Sequence, residues 1–74
     1  MSPEREALNL ELSAAKVLLA KTNREISALE VLIPQTPAGS NHRALVLQLQ
    51  SLKSLRHLHD QDCRRIRNEI TATI

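Results

Sequence analysis

Two stretches of this chain repeat apolar residues at alternating steps of four and three, and one cluster of helix breakers separates them. In the first stretch Leu8, Leu12, Ala15, Leu19, Thr22, Ile26, Leu29 and Ile33 keep that spacing without interruption, and in the second Leu45, Leu49, Leu52, Arg56, His59, Cys63, Ile66 and Ile70 do the same. A mean step of 3.5 residues holds one stripe in line along an α-helix, which is the seam of a coiled coil. Between the stretches, Pro34-Gln35-Thr36-Pro37-Ala38-Gly39-Ser40-Asn41 gathers two of the three prolines and the only glycine, so the chain turns there. Folding at Gly39 pairs Ile33 with Leu45, Leu29 with Leu49, Ile26 with Leu52, Thr22 with Arg56, Leu19 with His59, Ala15 with Cys63, Leu12 with Ile66 and Leu8 with Ile70. The numbers in every pair add to 78, so a single antiparallel register satisfies all eight layers. The fold class expected is all-α, an antiparallel two-helix hairpin with coiled-coil-like packing, completed by self-association or by a partner protein.

Composition agrees with that reading. Thirteen of the 74 residues are Leu and eight are Ala, there is no Phe, Tyr or Trp, and few residues are β-branched. Sandwiches and barrels draw on the residue types that are scarce here, and an all-β fold is excluded. The length allows one domain, residues 1–74. The first helix is expected over about residues 3–33: Ser2 caps it, Pro3 suits the first helical position, Glu4 and Glu6 face the positive end of the helix dipole, and Pro34 stops it. The turn takes residues 34–41. The second helix runs from about 41 to about 70, capped by Thr36 ahead of Pro37 or by Ser40 or Asn41, with Thr71 to Ile74 frayed.

Several function classes fall away. The formal net charge of +2 demands no polyanion partner, and the lack of aromatics removes the usual platforms for stacking single-stranded bases. One cysteine, Cys63, cannot form an internal disulfide, which fits a reducing compartment. The N-terminal stretch has no basic region followed by an apolar core, and no run approaches the roughly 18 apolar residues of a membrane span. A cytoplasmic protein without a membrane span is expected.

Within His57-Leu58-His59-Asp60-Gln61-Asp62-Cys63, the pair His59 and Cys63 shares a helical face as metal ligands do. A closed zinc site needs four ligands, and the facing seam residues Leu19 and Ala15 supply none, so no metal or other cofactor is expected. A two-helix hairpin offers no concave pocket for catalysis by Cys63, and the chain is read as a non-enzyme. Thr22, Arg56 and His59 interrupt the seam with polar side chains; Arg56 is expected to lay its stem along the seam and carry its charge to the edge.

A hairpin with one seam buries little, so a marginal monomer is expected. Apolar residues are left over outside the seam: Leu10, Ala14, Val17, Leu18, Ala28, Val31 and Leu32 on the first helix, and Ala44, Val46, Leu47, Leu55 and Leu58 on the second. They crowd toward the turn, where both helices are apolar nearly all round, and a helix of that kind is normally covered on every side. The expected contact surface is therefore Ala28, Val31, Leu32, Ala44, Val46, Leu47, Leu55 and Leu58, with Val31 and Val46 idle in a free hairpin. It would receive a second copy or a helical groove of another protein. At the other end Glu4, Glu6 and Glu11 stand beside Arg64, Arg65 and Arg67 and are expected to neutralise them. The alternative is a homodimeric four-helix bundle that holds a nucleic-acid backbone on Lys53, Arg56, Arg64, Arg65 and Arg67, an architecture with a precedent in Rop-type plasmid regulators.

The opening of the second helix, His42-Arg43-Ala44-Leu45-Val46-Leu47-Gln48-Leu49-Gln50-Ser51-Leu52-Lys53-Ser54-Leu55, behind a short polar turn, resembles the small E-component co-chaperones of type III secretion needle subunits. That resemblance implies a role as a small chaperone whose apolar surface contacts a larger TPR-like chaperone, the two together keeping a needle subunit soluble.

Overall fold

The computed structural model describes residues 3–73, and these form two antiparallel helices packed side by side: α1 (Pro3–Gln35) and α2 (Ser40–Ala72). Each helix has 33 residues, about 50 Å at 1.5 Å per residue, and the hairpin is a rod of 55 × 14 × 12 Å. Every seam position is buried or half-buried. Ile26 and Ile66 are almost fully enclosed, at 1% and 2% exposure, and Ala15, Leu29, Cys63 and Thr22 are also buried. Ala15, Cys63 and Ile66 pack as one cluster against Leu8, Leu12, Leu19 and Ile70, a grouping that the register with pairs adding to 78 requires.

The polar seam position Thr22 keeps its place inside because its hydroxyl donates to the carbonyl of Leu18 at 2.9 Å. The bond stays within α1, so no buried hydroxyl is left unsatisfied, and Thr22 tolerates the seam without selecting a partner across it. One further layer closes the turn end. Thr36 and His42 are both half-buried, and their numbers also add to 78.

The helix ends depart from the sequence reading. α1 runs through Pro34 to Gln35 instead of stopping at residue 33. Pro34 removes only the N–H that would bond to the carbonyl of the exposed Glu30, which water can satisfy, and so close to the end no following turn is lost. Pro37 is the terminator. It pushes Thr36 out of the helix, and Thr36 then closes the end by donating its N–H to the Ile33 carbonyl (3.1 Å) and its hydroxyl to the Leu32 carbonyl (2.9 Å).

α2 begins at Gly39, not at a Thr36, Ser40 or Asn41 side chain. Gly39 is the N-cap residue, makes no side-chain cap, and accepts the first helical bond from the N–H of Arg43 at 3.0 Å. Its φ of 153° with ψ of −165° lies where L-residues with a Cβ are rarely found, which is why the tightest bend holds the only glycine. α2 continues past residue 70 to Ala72. Thr71 bonds back to the Arg67 carbonyl, and Thr73 satisfies the carbonyls of Glu69 and Ile70. The Ser2 cap and the end of the frayed tail at Ile74 lie outside the described residues.

The two candidate caps separate experimentally. A Cβ at Gly39 meets no atom within 4 Å, so the cost of Gly39→Ala is backbone strain alone, about 1–3 kcal/mol by chemical denaturation followed by circular dichroism. Ser40→Ala stays within about 0.5 kcal/mol. Equal costs at the two positions would place the cap on Ser40 instead.

Candidate functional site

With the seam defining heptad positions a and d, the remaining positions sort onto faces. In α1, Leu12, Leu19, Ile26 and Ile33 occupy a, while Leu8, Ala15, Thr22 and Leu29 occupy d. In α2, Leu49, Arg56, Cys63 and Ile70 occupy a, while Leu45, Leu52, His59 and Ile66 occupy d. At 100° per residue, e and b then lie along one broad face of the hairpin, g and c along the other, and f on the back of each helix.

The exposed large apolar side chains avoid one of these faces. Leu18, Leu32 and Leu55 are at g, Leu58 is at c, and Leu10, Val17, Val31 and Leu47 are at f; none is at e or b. Ala7, Ala14, Ala28, Ala44 and Ala72 fill most remaining c positions. These side chains are spread along the rod and do not concentrate at the turn. Leu10 at 73% exposure and Val17 at 65% lie in the half away from the turn and are as bare as Val31 at 64%.

Of the residues expected to form a contact surface, Ala28, Leu32, Ala44, Leu55 and Leu58 lie on the g and c face, Val31 and Leu47 lie at f on the backs of α1 and α2, and all seven are exposed. Val46 does not join them. It sits at e, on the opposite edge, and is half-buried beside Leu45, so it packs within the hairpin and is not idle. The sequence reading missed Leu18 as a member of the g and c face because it weighed apolar density near the turn above heptad phase.

Charge divides along the same line. The a, b and e positions carry Arg5, Lys16, Arg43, Lys53, Arg56, Arg64 and Arg67 against Glu6, Glu30 and Asp60, a net of +4; the c, f and g positions carry Lys21, Arg24 and Arg65 against Glu4, Glu11, Glu25, Asp62 and Glu69, a net of −2. The proposed nucleic-acid set is thus split: Lys53, Arg56, Arg64 and Arg67 share the polar side, and Arg65 falls on the apolar side. The arginines near the chain ends are not neutralised across the hairpin as the sequence suggested. Arg64 pairs with Asp60 at 3.3 Å and Arg65 with Glu69 at 3.1 Å, both one turn apart within α2, where four-residue spacing makes neighbours. Both pairs are solvent-exposed and contribute about 0.3–0.5 kcal/mol each.

On the polar side, the mid-seam layers open into a shallow cleft of about 300 Å³ lined by Leu19, Asn23, Lys53, Arg56, His57 and Asp60. Arg56 is half-buried there and lines the cleft with its neighbour Lys53. Among the described residues, no three His, Cys, Asp or Glu side chains converge as metal ligands would, and Cys63 is a buried free thiol. Among the same residues, no helix is long and apolar enough to cross a membrane. A search of protein-family models, of curated proteins and of solved structures finds no match to the chain.

The corrected place of Val46 has a direct consequence. In dilute solution Val31→Glu changes the thermal stability of the hairpin by no more than about 0.5 kcal/mol, whereas Val46→Glu costs about 1 kcal/mol or more because a half-buried isopropyl group is lost and a carboxylate is brought to the seam edge. Melts showing the two variants alike would return Val46 to the open surface.

Proposed function

We propose that this protein is a non-catalytic interaction module that works by protein–protein contact through the apolar c and g face of its hairpin. The observation that carries the reading is the asymmetry of the exposed large apolar side chains: Leu18, Leu32, Leu55 and Leu58 lie on the g and c face, Leu10, Val17, Val31 and Leu47 on the backs of the helices, and none on the e and b face. An exposed apolar row along one broad face of a small chain marks an interaction surface. Contact of this kind suits a small chaperone, co-chaperone or assembly adaptor. The secretion co-chaperone role implied by the family resemblance is one form of it, in which a larger helical protein covers the face.

Leu58 and His57 are neighbours in sequence but stand on the apolar and polar sides respectively, which makes them matched probes. A photo-crosslinking amino acid at position 58 is expected to give protein adducts, with the purified chain or with the soluble fraction of its source cell, while the same probe at position 57 gives few. Equal yields from the two positions, or none from position 58, would defeat the proposal.

A second reading, polyanion binding on the opposite side, is favoured by one observation, the net +4 of the a, b and e positions. It predicts an RNA or DNA complex held by Lys53, Arg56 and Arg67 that weakens steeply between about 50 and 200 mM salt. No complex with either nucleic acid at the lower salt would dispose of it.

A further inference from the structure

We infer that the occupant of the apolar side is a second copy of this chain, laid face to face and antiparallel about a two-fold axis that crosses the hairpin at the level of Asn23 and Leu55. This rests on the protein-contact reading and names its partner; the turns of the two copies point to opposite ends of a four-helix bundle.

The c and g row of α1 reads Glu11, Ala14, Leu18, Lys21, Glu25, Ala28, Leu32, Gln35. Placed antiparallel on its own copy so that facing numbers add to 46, it sets Leu18 on Ala28, Leu32 on Ala14, Lys21 on Glu25 and Glu11 on Gln35, each twice by symmetry. Large meets small, which lets the helices approach, and cation meets anion. Sliding the copies by one heptad destroys the match: Lys21 then falls on Leu18 in one direction and on Leu32 in the other.

α2 independently agrees with this axis. The intramolecular register carries the same axis to Leu55, which meets Leu55 of the other copy. Its acidic g residues are kept from one another, for Asp62 faces Gln48 and Glu69 faces Asn41. On a c and g face whose net charge is −3, any arrangement that set these carboxylates together would be repulsive. Of the two charged residues nearest the axis, Arg24 is at f on the outer edge and Arg56 is at a, half-buried toward the polar face, so neither enters the interface.

Area points the same way. The free hairpin exposes 5512 Å², whereas a compact monomer of 8.3 kDa exposes about 4,600 Å². The excess of roughly 900 Å² is close to the ~800 Å² that each partner of a standard interface buries.

Two experiments test the register. In a Cys63→Ala background, Leu55→Cys should oxidise rapidly to a disulfide-linked dimer, and chains carrying Leu18→Cys should crosslink to chains carrying Ala28→Cys but not to one another. In the otherwise native chain, Lys21→Glu or Glu25→Lys alone should raise the dimer dissociation constant, measured by dilution calorimetry, by about tenfold, and the double exchange Lys21→Glu with Glu25→Lys should restore it. A Leu55→Cys chain that remains reduced while Leu18→Cys chains crosslink to Leu58→Cys chains overturns the antiparallel arrangement. Charge reversals without effect, or with no rescue, overturn the register even if the cysteine variants fail to fold. A chain that stays monomeric while position 58 still crosslinks to a different protein overturns the second copy as occupant and leaves the contact reading standing.

Discussion

All long-range packing in this chain comes from one stripe, where the a and d side chains of α1 interdigitate with those of α2. The two helices have no other element to pack against, so their register, the level of every residue along the rod and the division of the surface into two sides all follow from that contact. The stripe is thin. Its apolar core consists of Ala15, Ile26, Leu29, Cys63 and Ile66, and toward the ends half-buried leucines and isoleucines carry the rest. The middle layers are the weakest, since Thr22 satisfies itself within α1 and Arg56 and His59 replace leucine-sized side chains where the polar cleft opens. Register is therefore held by the outer apolar layers and by the short Pro37-Ala38-Gly39 bend, not by polar recognition across the seam.

A rod held by one stripe must show two broad faces to its surroundings, and these two differ. One is polar and basic, with its cations spread along a, b and e. The other carries Leu18, Leu32, Leu55 and Leu58 with an acidic fringe, and Leu10, Val17, Val31 and Leu47 line the outer backs of the helices. A monomer would gain from charge on both sides, because solvated faces keep a small rod soluble. The sequence instead sets Leu18, Leu32, Leu55 and Leu58 on one broad face, and the proposed dimer covers them without setting Glu25, Asp62 or Glu69 against another acid.

Most of the fold was legible from spacing alone, because a 4-3 repeat in two stretches with one breaker cluster leaves a single antiparallel pairing. What spacing could not give was the detail of the ends. A proline near a helix terminus costs one solvent-facing hydrogen bond and need not stop the helix, so Pro34 was misread and Pro37 proved decisive. Ser40 and Asn41 looked like caps by residue type, yet the bend places Gly39 at the boundary in a conformation that only glycine adopts readily. On the surface, apolar density near the turn pointed to Val31 and Leu47 but also drew in Val46, whose e position places it at the seam edge. Heptad phase, already present in the sequence, separates these cases, places Leu18 on the g and c face, and splits Arg65 from Lys53, Arg56, Arg64 and Arg67.

The central claim is that the free hairpin is half of a structure and needs its apolar side covered. Sedimentation equilibrium of the wild-type chain at micromolar concentration, with thermal melts over the same range, tests it most directly. The account predicts a mass of two chains and a melting temperature that rises with concentration, as mass action requires when association stabilises the fold. A chain that sediments as a monomer throughout and melts cooperatively at a temperature independent of concentration would contradict it.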